Sequence, residues 1–216
     1  MKRKLKLIFK RLYSVFGAQH WWPADSVFEI MVGAILTQNT NWSNVKKAIA
    51  VLKEKKLLNA RKLYRLPEKQ LAGLIKSAGY YNVKAARLKS FLRFFVDRYA
   101  AKVKLMGAQN LKPLRRQLLA VKGIGPETAD SILLYALNKP VFVVDTYTKR
   151  ILSRHGLIKA ETDYSQCQDI FMRNIKVDAK LFGEYHALLV KLGKDYCRKQ
   201  NPKCEICPLW SIKNAC

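Results

Sequence analysis

Acidic side chains are scarce in this chain: 15 Asp and Glu stand against 41 Lys and Arg in 216 residues, a formal charge of +26. The excess runs along nearly the whole length instead of gathering in one tail, and an imbalance of this size points to a polyanionic partner beyond a merely solvated lysine surface. Long apolar runs are missing too. The opening MKRKLKLIFK alternates charge and bulk; it is too short and too interrupted for a signal peptide or a membrane span, and reads as the start of an amphipathic helix in a cytoplasmic protein. No stretch sustains a two-residue alternation, which argues against a sheet, and "PVFVVD" at 140 to 145 is the one strand-like run. Low-complexity linkers and repeats of fixed period are absent as well, so composition alone marks no domain boundary. Secretion-type cysteine spacing is also lacking: four of the five cysteines, Cys197, Cys204, Cys207 and Cys216, crowd into the last 20 residues. In a reducing compartment such a cluster suggests a metal site, and the isolated Cys167 suggests a small buried hydrophobe.

What the chain does have is helical periodicity. Apolar residues recur at Leu5, Ile8, Leu12 and Val15, at Phe28, Met31, Val32, Ile35 and Leu36, and at Leu88, Phe91, Leu92 and Phe95. This spacing predicts an all-α protein. Short breaks such as "WWPAD", "SAGYYN" and "KGIGPE" punctuate the helices.

The segment "LLAVKGIGPETADSILLYALNKP" (118 to 140) predicts a helix, a Gly-Ile-Gly turn, and a second helix starting near Pro126. Glycines admit backbone angles closed to other residues, and proline suits a first helical position whose N–H would lack a partner. Exposed amides at the positive end of the second helix, with Lys122 beside them, would seat a backbone phosphate. A plain helix-helix corner is the simpler alternative. Next comes "VFVVDTYTKRI", in which Asp145 precedes a helix starting at Thr146. From its residues alone Asp145 is either an N-cap or a functional carboxylate, and capping amides would keep it ionised in both cases. Earlier in the chain, "HWWPADSVFEIMVGAILTQNTNW" (20 to 42) sets two adjacent tryptophans ahead of an apolar helix. They are either core residues or the flat walls of a cleft.

Set together, L-x-x-V-K-G-I-G-P-x-T-A-x-x-I-L and the following Val-Asp-Thr resemble the helix-hairpin-helix DNA glycosylases that include endonuclease III. Within that superfamily, Trp-Trp-Pro paired with G-A-I-L-T-Q-N-T and an aromatic residue beyond it most resembles 3-methyladenine DNA glycosylase III, over about residues 20 to 155. The resemblance implies a two-lobed all-α fold. Residues 25–140 would form a six-helix barrel lobe, and residues 1–24 with 141–216 a second lobe ending in a cluster loop at 197–216. It implies that Asp145 is the catalytic carboxylate, meeting the positive charge that develops on deoxyribose as the base leaves. DNA would be held by Lys122, Gly123, Ile124, Gly125 and Thr128. Trp21, Trp22, Pro23 and Trp42 would bind a cationic alkylated purine by stacking and cation-π attraction in a pocket between the lobes, with Asn39, beside Gln38, as the wedge that fills the vacated stack. Such amides serve equally as caps or helix bridges. Bifunctional members carry a lysine where this chain has Glu127, and a carboxylate forms no Schiff base, so the expected enzyme is monofunctional and leaves an abasic site.

The spacing C-x6-C-x2-C-x8-C resembles the family's [4Fe-4S] loop at its first three positions, with Cys216 displaced from the usual place of the fourth. Four thiolates also suit tetrahedral zinc. The expected partner is double-stranded DNA carrying a damaged base. No membrane and no obligate protein partner are expected, and the protein would act as a monomer in a cytoplasm of prokaryotic type, at the nucleoid. The rival readings are a uracil or thymine mismatch glycosylase and a non-catalytic helix-hairpin-helix DNA-binding protein.

Overall fold

The structure is a computed structural model that describes residues 1–212. The expected ligand Cys216 therefore lies outside the described residues. Among these, all regular structure is helical: α1 (Lys2–Phe16), α2 (Val27–Leu36), α3 (Trp42–Glu54), α4 (Ala60–Arg65), α5 (Glu68–Leu74), α6 (Tyr81–Tyr99), α7 (Val103–Gly107), α8 (Leu111–Leu119), α9 (Pro126–Ser131), α10 (Thr146–Arg154), α11 (Tyr164–Asn174) and α12 (Ala179–Asp195). A 3-10 turn at Lys76–Ala78 precedes α6, and a π-helical turn at Ile132–Ala136 continues α9. The chain divides into two compact units, Met1–Trp21 with the chain from Asn138 onward, and Trp22–Leu137.

In the first unit α12 is the centre, packed by α1 and α10. Leu5, Ile8 and Leu12 form a fully buried stripe on α1, and the buried Tyr185 hydroxyl of α12 donates to the Leu5 carbonyl at 2.8 Å. The expected fourth member of that stripe, Val15, is 58% exposed. The apolar face passes instead from Leu12 to Phe16, one helical turn on, whose ring meets Tyr196 at 5.8 Å. The run at 140 to 145 forms no strand. Among the described residues it has no neighbouring strand to pair with, and side chains take up backbone groups of the run: Gln168 Nε2 donates to the Phe142 carbonyl at 2.6 Å, and the Val144 N–H donates to Tyr164 Oη at 3.4 Å. Val141 to Val144 are nonetheless buried, and the Phe142 ring stacks on Phe171 at 3.7 Å.

In the second unit α2 is the buried axis, apolar on nearly every side, with Met31 to Leu36 all buried. Around it pack α3, α6, α9 and the π turn. Ser26 caps α2 by accepting from the Glu29 N–H, and Lys53 of α3 ties down the entry to that helix through Asp25 at 2.8 Å and Glu29 at 2.7 Å. No helix among the described residues is long and apolar enough to cross a membrane.

Candidate DNA-facing and catalytic residues

The hairpin of the second unit is built as its sequence requires, with one difference. Between α8 and α9 the turn is anchored by buried Val121 and Ile124, and the Ile124 N–H donates to the Val121 carbonyl at 3.0 Å. Gly123 has φ +87°, and a Cβ there would stand 2.3 Å from Arg87 Cγ, so both conformation and space demand glycine. Gly125, expected to need the same freedom, has φ −88° and ψ 178°, which any residue adopts. What it provides is room: a Cβ at Gly125 meets nothing within 4 Å, so the approach to the start of α9 stays open. Pro126 opens α9, and Lys122, Pro126 and Glu127 are exposed around that approach.

Gln38 braces this turn from the end of α2. Its Nε2 donates to the Gly123 carbonyl at 3.0 Å and to Thr128 Oγ1 at 2.9 Å, while its Oε1 accepts from Arg87 Nη1 at 2.6 Å. The amide is thus occupied inside the unit, and Thr128 is buried facing it. Asn39, by contrast, is exposed with φ +52°, a left-handed position that asparagine tolerates better than most residues. Of the two adjacent amides, Asn39 is the one presented outward.

The adjacent tryptophans fall in different compact units. Trp21 belongs to the first, with the Lys194 ammonium 5.6 Å from its ring centroid. Trp22 belongs to the second, where its indole meets Trp42 edge-on (5.1 Å, 88°) and Tyr135 at a tilt (5.5 Å, 58°). The Trp22 ring lies so close to α2 that a Cβ on Gly33 would stand 3.2 Å from it. All three rings are half-buried, and Pro23 is exposed.

In the first unit Asp145 is the N-cap of α10, accepting from the Thr148 N–H at 2.7 Å. Its other oxygen lies 3.6 Å from His186 Nε2 of α12; the two side chains are only 10% and 8% exposed. Burial alone would raise the Asp145 carboxyl, but the His186 ring, followed by the Thr148 amide, more than offsets it, and the group is held below its ordinary value of 3.8. The close approach of α10 to α12 depends on Gly193, where a Cβ would stand 2.4 Å from the Tyr147 ring. Arg150 fixes the same junction, donating from Nε to the Cys197 carbonyl at 2.7 Å and from Nη2 to the Gly193 carbonyl at 3.0 Å.

Cys197, Cys204 and Cys207 line one recess of about 270 Å³, counting the solvent at its mouth, together with Arg154, His155, Tyr196 and Lys203. Arg154 Nη1 donates to Cys197 Sγ at 3.3 Å. Soft thiols are suitable donors for a cluster or zinc. Among the described residues, however, no three His, Cys, Asp or Glu side chains stand close enough together to hold a metal ion. Cys167 is elsewhere, fully buried, its thiol pushed up to about 11 by burial.

Sequence reasoning passed over three residues here: His186, Tyr135 and Arg87. His186 was discoverable as one of only three histidines in the chain, but its meeting with Asp145 is a tertiary fact. Tyr135 sits in an apolar run that reads as core, and Arg87 carries no local signal.

A carboxylate kept ionised in a nearly dry setting, a glycine hairpin open at a helix start and a basic surface define a protein that acts on nucleic acid. Residues 32–176 match the HhH-GPD superfamily base excision DNA repair protein family. The chain belongs to that superfamily. It is 45% identical over 203 residues to the putative DNA repair glycosylase MJ1434 of Methanocaldococcus jannaschii, covering 94% of this chain and 92% of that protein. It is 31% identical over 196 residues to endonuclease III of Thermotoga maritima, covering 88% and 82%. Among solved structures it resembles H. pylori 3-methyladenine DNA glycosylase (MagIII) bound to 1,N6-ethenoadenine, with TM-score 0.77, 29% identity and coverage of 89% of this chain and 96% of that one. A trapped endonuclease III-DNA covalent intermediate shares the fold, with TM-score 0.83 at 21% identity, covering 97% and 93%.

Proposed function

We propose that this base excision repair protein is a monofunctional DNA glycosylase that releases alkylated purines of the 3-methyladenine type from double-stranded DNA. The observation that carries the proposal is the Asp145 carboxylate, buried yet kept ionised by His186 and the Thr148 amide. As the N-glycosyl bond breaks, its electron pair goes to the alkylated base and cancels the positive charge there. The sugar becomes an oxocarbenium ion, which Asp145 stabilises; water then adds at C1′ and gives a proton to the carboxylate. Glu127 stands at the second position of α9, where bifunctional relatives place an amine, which supports hydrolysis over lyase chemistry. Trp22 and Trp42 supply ring surfaces suited to a flat cationic purine, and the likeness to a 3-methyladenine glycosylase holding an ethenoadenine supports that choice. The hairpin around Gly123 and Gly125 takes a backbone phosphate, and Asn39 fills the gap left in the stack.

We assign a [4Fe-4S] cluster to Cys197, Cys204, Cys207 and Cys216, supported by the three cysteines that line one recess and the Arg154 N–H directed at Cys197 Sγ. Bound there, the cluster ties down a loop carrying Arg198, Lys199 and Lys203. The test of the function is a panel of duplexes with single lesions, treated with alkali after incubation. Release of N-methylpurines, with uracil and mismatched thymine left in place, is the expected pattern; the reverse preference overturns it.

A further inference from the structure

The π turn at Ile132–Ala136 is an irregularity that ends the hairpin's second helical segment. The Leu137 N–H reaches back five residues to the Ile132 carbonyl at 3.1 Å. Such turns are rare and recur at functional sites, because the widened turn changes the direction of the side chains it carries. Here Ile132, Leu133, Leu134 and Ala136 are buried, and Tyr135 is the one residue of the turn that is not. Its ring meets Trp22 at 5.5 Å, and Trp22 meets Trp42 at 5.1 Å.

Three aromatic rings thus come together from three separate elements of one unit: the segment before α2, the first residue of α3, and the π turn. Close packing of Trp22 on Gly33 fixes the middle ring. Aromatic faces carry negative quadrupole potential, so adding a third ring favours a cation over a neutral molecule of the same shape.

We propose that Tyr135 is a specificity-determining residue: presented by the π turn, its ring completes with Trp22 and Trp42 a seat that selects positively charged purines over neutral ones. The inference rests on the alkylpurine reading above and adds to it the residue, Tyr135, on which the choice between charged and neutral purines depends. A mere prop for the Trp22 indole would support cationic and neutral bases alike.

The experiment measures single-turnover release of methylpurines from methylated duplex DNA, inhibited by either 3,9-dimethyladeninium, a fixed cation, or 9-methyladenine, its neutral counterpart. The wild type and Tyr135→Phe are expected to be inhibited about tenfold more strongly by the cation, the size of a partly desolvated cation-π contact. In Tyr135→Leu, and in Tyr135→Met as a second filling of the same space, that preference falls to within about threefold and release slows. A preference that survives in either folded variant, or is missing from the wild type, overturns the role of Tyr135. If the wild type releases no methylpurine at all, the functional reading fails first and this inference falls with it.

Discussion

Replacing Asp145 by asparagine separates the two duties of one side chain. As a cap, asparagine is about as good as aspartate, since its carbonyl oxygen still accepts the Thr148 N–H now bonded at 2.7 Å. As a charge it is nothing. The carboxylate is only 10% exposed, so its attraction for an oxocarbenium ion about 4 Å away is screened by an effective dielectric near 20, giving about 4 kcal/mol. At ~1.36 kcal/mol per decade this is a loss of roughly 10³ in the rate of base release. The assay is single-turnover release from a methylated duplex at neutral pH, alongside thermal unfolding. The expected result is that large loss of rate with a modest drop in melting temperature near neutral pH, from the lost charge and not from the cap. The carboxyl is held below 3.8 in the folded protein, so its contribution to stability is present above the unfolded value and lost as pH falls through the lowered one. Asparagine makes no such contribution, so the two proteins converge in stability under strongly acid conditions. An asparagine variant within tenfold of the wild-type rate would refute the reasoning.

His186→Leu removes the ring that does most to offset burial at Asp145, so the carboxyl value rises and the acid limb of the rate-pH profile moves to higher pH; superimposable profiles would contradict this. Gly123→Ala forces a side chain into φ +87° and against Arg87, whose bond to Gln38 it disturbs. The expected cost is about 1–2 kcal/mol or more, seen as a melting point lower by several degrees, together with weaker DNA binding whose salt slope is reduced. Metal analysis of the purified protein is expected to find iron with acid-labile sulfide, lost in Cys204→Ser and Cys207→Ser; zinc without sulfide would replace the cluster by a tetrahedral site.

How much of this was legible beforehand varies with the range of the interaction. Local rules read well: the periodic stripe at Leu5, Ile8 and Leu12, the α9 start at Pro126, and the Asp145 cap all follow from spacing and residue type within a turn or two. The run at 140 to 145 looked strand-like because burial produces the same apolar string whether or not a partner strand exists, and here Gln168 and Tyr164 take the partner's place. Gly125 was over-read, since a glycine in sequence does not reveal whether it provides conformation or room. Gln38 and Asn39 are indistinguishable as neighbouring amides; only the fold turns one inward to Gly123 and Thr128 and leaves the other exposed. His186 and Tyr135 were hidden for a related reason. One lies 41 positions beyond its partner on an apolar helix face, and the other is re-aimed by a π turn that no propensity announces.

The most direct measurement follows a single end-labelled duplex carrying an N-methylpurine, incubated with the wild-type protein and analysed with and without alkali. A break at the methylated position that appears only after alkali means that water displaced the base and the backbone was left whole, as Asp145 without an amine at 127 requires. Breaks without alkali, or a protein-DNA adduct trapped by borohydride, would show an amine attacking the sugar and contradict the account.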